Sequence, residues 1–216
     1  IADEFAKIDD DGARQCLALC CLATFLGIKI PLIVLKNALS KYKKSNLSYK
    51  DVFILTDKAN VFIREFVDSW DNIYFEITHL VVAKQLLGTM RVPEVDRMLL
   101  TLSESSDISS PTEAYFIRNV FIDEGGRRYL SDDEIPFSLE GLDAAFRKII
   151  ERQPARPLLH HLARLYEKID ISDERIVPLL NRALNEPLED YEIKEKKGNI
   201  QTTLANVLWK QNKDVY

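Results

Sequence analysis

The chain has 216 residues, 46% of them hydrophobic, with a formal net charge of -5 and a pI near 5.4. That is enough apolar chain to bury a real core in one or two domains, and too acidic a balance for a protein built mainly to hold nucleic acid or an anionic membrane, although a local basic patch is compatible with it. Few glycines and prolines and no long polar tract argue against extended disorder. Cys16, Cys20 and Cys21, crowded into one predicted helix with no partners elsewhere, form no disulfide framework and favour a reducing, cytoplasmic setting.

In chain order, the segment from Cys16 to Leu35 approaches the length of a membrane span, but Gly27, Lys29 and Pro31 interrupt it. It reads instead as two buried helices, one over Asp11 to Leu26 with Gly27 as C-cap, the next from Pro31, taken as its first residue, to Lys43. A third helix is predicted over Ser48 to Ala59, with Ser48 as N-cap. The hydrophobic period then changes to two. Val61 to Asp68 and Ile73 to Thr78 predict a hairpin around a turn at Ser69 to Asn72, after which Leu80, Ala83, Leu86 and Leu87 resume a helix face that Gly88 stops.

Beyond Gly88 the pattern is helical: about Pro93 to Ser103, Pro111 to Phe121, Ser138 to Arg152, Arg156 to Ile169, Ser172 to Leu184 and Asp190 to Lys210. Ile122 to Phe137, holding Gly125, Gly126 and Pro136, is the clearest loop. Leu159, Leu162, Ala163 and Tyr166, with Ala183 and Pro187 further on, stand at positions that a tetratricopeptide-type hairpin of about 34 residues uses for close helix packing. Ile200 to Lys210 looks like the first helix of a second hairpin, so the chain is expected to continue in a longer protein. The expected fold class is mainly α, with a helical hairpin and winged-helix unit carrying a two-stranded β-wing, followed by a TPR-like solenoid. The expected divisions are residues 1-90, a helical connector over 91-153, and repeats over 154-216.

No catalytic set emerges. His160 and His161 are neighbours on a helix, where successive side chains point about 100 degrees apart, so they are read as one core and one solvent-facing residue rather than a metal site. Cys16 and Cys20 share a helix face but have no partner ligands, and read as core. Asp123 to Arg128 lacks the strand and lysine of a phosphate loop and reads as a turn; the acidic runs lack calcium-loop spacing. Lys41, Lys43, Lys44 and Lys50, with Tyr42 and Tyr49 among them, form the one basic patch. Beside a winged helix it makes DNA binding the alternative function, that of a transcriptional regulator. Against this, the presumed recognition helix offers few polar groups for base edges, and a solvated helix end explains the lysines as well.

The order of these pieces resembles the middle of a STAND-type signal-transduction ATPase. Cys16 to Leu39 is similar to the helical region after the ATPase core, Tyr74 to Leu87 to the end of its winged helix, and Glu113 to Asp123 and Arg156 to Lys168 to helices that lead into its repeats. The resemblance implies a non-catalytic segment that couples nucleotide state to recognition of a protein trigger by the repeats, in proteins that serve as intracellular sensors and often in antiphage defence. It implies that His79, at the junction of wing and helix, reaches the β-phosphate of ADP held by the nucleotide-binding domain of the same longer protein. ATP or ADP and magnesium belong to that domain, since no phosphate loop is present here. Assembly into a homo-oligomer on activation is the further expectation; no cofactor, membrane or nucleic-acid partner is expected for the segment itself.

Overall fold

A computed structural model describes residues 7–131, 135–186 and 197–213. Helix α1 (Asp11–Phe25) begins where the Asp10 carboxylate accepts from Ala13 N–H at 3.0 Å, satisfying one of the donors that every helix start leaves over. It ends where Gly27 takes a φ of 80°, a left-handed conformation open to glycine. Gly27 N–H then donates to the Thr24 carbonyl and Ile28 N–H to that of Ala23, each over 3.0 Å, the bond pair of a Schellman ending. Between those ends Cys16, Leu17, Leu19, Cys20, Leu22 and Ala23 are all buried. A helix apolar on every side must be enclosed: α2 (Leu32–Lys43), α3 (Tyr49–Asp57) and α4 (Leu80–Gly88) pack around it with a small sheet.

That sheet has three antiparallel strands in the order β1-β3-β2: β1 (Ile30–Pro31), β2 (Ile63–Val67) and β3 (Ile73–Ile77). The expected hairpin is present, with Phe66 opposite Tyr74 and Ile63 opposite Ile77. The expected two-stranded wing is corrected to three strands, because Ile30 and Pro31 pair with Phe75 and Tyr74 on the other edge of β3. Two residues are too few to show a period. The same pairing corrects Pro31, which is the N-cap of α2 with ψ 144° and not its first helical residue; a residue held extended by a strand cannot take helical torsions. Thr24 Oγ1 accepts from Ile77 N–H at 2.8 Å and so ties α1 to β3.

Helix α3 carries a reciprocal capping box between Ser48 and Asp51. Gly88 lies inside the last turn of α4, and Thr89 is its C-cap, a shift of one residue from the expected stop. Helices α5 (Val92–Ser105), α6 (Pro111–Phe121), α7 (Glu124–Ser131) and α8 (Leu139–Arg152) follow. The α7 helix overturns the expected loop at Ile122 to Phe137 over its first half. A Cβ on Gly125 would stand 1.9 Å from the Val120 carbonyl oxygen, and one on Gly126 would stand 2.9 Å from that of Phe121. The glycine pair therefore serves close approach, letting α7 fold back onto the end of α6, where Tyr129 OH donates to Val120 O over 2.6 Å.

Helices α9 (Arg156–Ile169) and α10 (Ile176–Asn185) pack side by side, and α11 (Lys197–Lys213) packs on α10. The predicted start of α10 at Ser172 moves to Ile176 because the Asp170 and Asp173 carboxylates accept from Ser172 N–H and Arg175 N–H, each over 2.9 Å. These are turn bonds that compete with a helix. Pro187 and the predicted helix start at Asp190 lie outside the described residues. Buried apolar side chains from Ile8 to Val207 form one cluster. The fold is mainly helical with a small antiparallel sheet, and among the described residues no helix is long and apolar enough to cross a membrane.

Candidate functional site

His79 sits one residue after Thr78 at the end of the hairpin, in extended backbone with φ -153° and ψ 135°, as N-cap of α4. Its Nδ1 accepts from Val81 N–H at 3.2 Å, which satisfies a helix-start donor. The side chain is exposed. Since Nδ1 is held by the helix, Nε2 is the ring nitrogen that this bond leaves open.

The four patch lysines are all exposed on the end of α2 and the start of α3. Lys41 is paired with Glu104 at 2.5 Å, and the neighbouring Lys58 with Asp10 at 2.6 Å. Asp10 is held below the ordinary carboxylate range chiefly by the Lys58 hydrogen bond, with Lys43 adding a smaller push. Lys44 is the left-handed C-cap of α2, with φ 52°, and Lys50 stands in the first turn of α3 beside Asp51.

A groove of about 520 Å³ lies between the outer face of the sheet and helices α6 and α7, within the size range of small-ligand pockets. Directly paired residues of neighbouring strands share a sheet face; hence Phe66, Tyr74 and Pro31 line one wall. Tyr115, Phe116 and Asn119 of α6 form the other. Lys29 Nζ lies 3.4 Å above the centre of the Phe66 ring. At the hairpin turn the Asp68 carboxylate accepts from Trp70 N–H, Asn72 N–H, the Asn72 side-chain amide and Tyr74 OH at 2.8, 2.9, 3.0 and 3.1 Å. Those bonds, led by the Asn72 side chain, hold Asp68 below the usual carboxylate range.

His160 is buried and shares a 3.0 Å hydrogen bond between Nε2 and Thr203 Oγ1 of α11, while the His161 ring stands edge-on to it, centre to centre 6.0 Å. Among the described residues no three His, Cys, Asp or Glu side chains converge as metal ligands would. Burial pushes the Cys20 and Cys21 thiols up, away from reactive thiolate. Asp123 to Arg128, expected as a turn, spans the step into α7, with Arg118 paired to Asp123 at 2.9 Å.

Sequence reasoning singled out His79 and the lysines but not the groove. Its one signal was the pair of aromatics at Phe66 and Tyr74, on the strand positions that alternate with the buried Phe75. No family model, no curated protein and no solved structure matches the chain.

Proposed function

We propose that this chain is a regulatory coupling segment of a STAND-type ATPase, in which a winged-helix-like unit reads the nucleotide state of a neighbouring domain and passes it to TPR-like helices that recognise a protein trigger. What supports the reading most is the exposed His79 imidazole at the step from the hairpin to α4, with one ring nitrogen engaged by the helix start and the other left open by that bond. The run α1, β1, α2, α3, β2, β3, α4 is compatible with a winged helix followed by a closing helix. Leu159, Leu162, Ala163, Tyr166 and Ala183 are buried on two helices, α9 and α10, that pack side by side, which fits the close-packed positions of a helical repeat. In this reading the segment itself catalyses nothing, ADP sits on the adjoining domain with its magnesium, and release of the His79 contact favours assembly.

The test uses the longer protein that the reading requires, comparing His79→Ala with His79→Asn. Asparagine preserves an N-cap acceptor but lacks the reach of the imidazole. A hydrogen bond to charged phosphate contributes about 1.5 to 3 kcal/mol, so its loss shifts the resting population roughly tenfold or more. Both variants are expected to retain less ADP and to assemble without trigger. If His79→Asn behaves as the parent protein while His79→Ala does not, His79 is a cap alone and the nucleotide role is dropped.

A further inference from the structure

We propose that the groove between the outer sheet face and α6 receives a short segment of a partner protein in which an acidic side chain stands beside an aromatic one. The aromatic half of the match comes from the walls. Phe66 and Tyr74 face Tyr115 across the opening, and Tyr115 is 66% exposed, with Val67 at the rim 58% exposed. Large rings left in water around a concave surface gain by being covered, and they add edge or stacking contacts to an incoming ring.

The acidic half follows from which charges around the groove are already matched. Asp68 is saturated by the turn, and Glu124 is paired with Arg127 at 2.8 Å. Lys29, the basic residue of the groove lining, rests on the Phe66 ring and lies 3.9 Å from Glu76; two basic groups outside the lining differ. Arg128 and Lys84 take part in none of the ion pairs among the described residues; each rests on the Phe25 ring, with Cζ 5.7 Å and Nζ 5.9 Å from its centre. Arg128 Nη2 comes within 3.5 Å of where a Cβ on Gly27, a residue of the groove lining, would be. A carboxylate entering there meets a guanidinium that has a ring below it and takes part in no ion pair among the described residues, while the nearby Glu124 is paired with Arg127, a setting in which a charge-assisted bond forms at little loss. The net charge of -5 does not oppose this, because at physiological salt charges farther than about 8 Å are screened.

The probe is a phage-displayed library of random peptides panned on the whole chain, followed by anisotropy with a labelled copy of the enriched peptide. The expected result is enrichment of Asp or Glu next to Phe, Tyr or Trp. Binding should then weaken about tenfold or more in Tyr115→Ser and in Arg128→Glu, the size of one lost charge-assisted contact. Exchanging the peptide's acidic residue for lysine should restore binding to Arg128→Glu, which a merely misfolded variant could not show. No enrichment, enrichment of basic or purely aliphatic peptides, insensitivity to either variant, or failure of the charge exchange overturns the proposal. None of this depends on His79 or on nucleotide.

Discussion

Arg156 and Ala183 join the two helices of the C-terminal pair: Arg156 Nε, at the start of α9, donates to the Ala183 carbonyl oxygen near the end of α10 over 3.1 Å, and Nη2 donates to Glu186 O. Arg156 is 2% exposed. A cation at a helix C-terminus meets both the unsatisfied carbonyls and the negative end of the helix dipole.

Arg156→Ala removes both bonds at a buried site. It is expected to destabilise the chain by about 1.5 to 3 kcal/mol, lowering the melting temperature by roughly 5 °C or more for a chain of this size. Arg156→Lys should recover only part of that, since an ammonium lacks the fork that spans two carbonyls. Thermal melts followed by circular dichroism measure both; equal stability of Arg156→Ala and the parent protein would remove the clamp from the account.

Glu113 is 3% exposed, accepting from Asp107 N–H at 2.7 Å and from the Asn37 side-chain amide at 3.4 Å. Burial pushes its carboxyl above the ordinary value of 4.5. A carboxyl raised in the folded state binds its proton more tightly there than in the unfolded chain, so its contribution favours folding at acid pH and is lost as pH rises through the folded value. Glu113→Gln should therefore be most favourable, relative to the parent protein, at neutral pH, and that difference should narrow near pH 5. Urea unfolding of both proteins at the two pH values tests this; a difference that widens on acidification contradicts it.

Two helical glycines predict opposite outcomes. A Cβ on Gly125 would collide with the Val120 carbonyl, whereas one on Gly88 meets nothing within 4 Å. Gly125→Ala is expected to destabilise by about 1 to 3 kcal/mol or more as α7 is pushed from α6. Gly88→Ala should stabilise by about 0.5 to 1 kcal/mol through the unfolded chain's lost freedom. Denaturant midpoints decide, and the sign of each change is the result that matters.

Duplex DNA is expected to bind no better than to a generic acidic protein, because Lys41 and Lys58 are already paired with Glu104 and Asp10 and the exposed face of α3 offers Tyr49 and Ile54 in place of base-reading amides. Mobility shift across a range of salt measures it. Tight binding with a steep salt slope, lost in Lys43→Ala and Lys44→Ala, would favour the transcriptional-regulator alternative.

Much of the helical order was legible because its ends carry local chemistry. Pro111 and Pro157 stand in first turns, Ser48 and Ser138 cap by side chain, and Gly27 stops α1. The hairpin was legible because two short runs rich in bulky and β-branched residues flank the turn at Ser69 to Asn72. What escaped depends on contacts far along the chain. The glycines of α7 look like breakers until the Val120 carbonyl is placed against them, and β1 exists only because β3 lies beside Ile30. The groove joins rings from β2, β3 and α6, and no spacing within one segment announces such a meeting. His79 was legible as a helix-start residue following the hairpin; the packing of the described residues adds its Val81 bond and its exposure.

The Asp68 turn holds Trp70 out in solvent, 84% exposed, and Trp209, the other tryptophan of the chain, is 60% exposed. An indole already in water changes colour little when the chain unfolds. Intrinsic emission is thus a poor gauge of the core in this protein, and a good reporter of whatever comes to cover the hairpin turn: a blue shift on mixing with a partner, absent in Trp70→Phe, would by itself locate that partner at the turn.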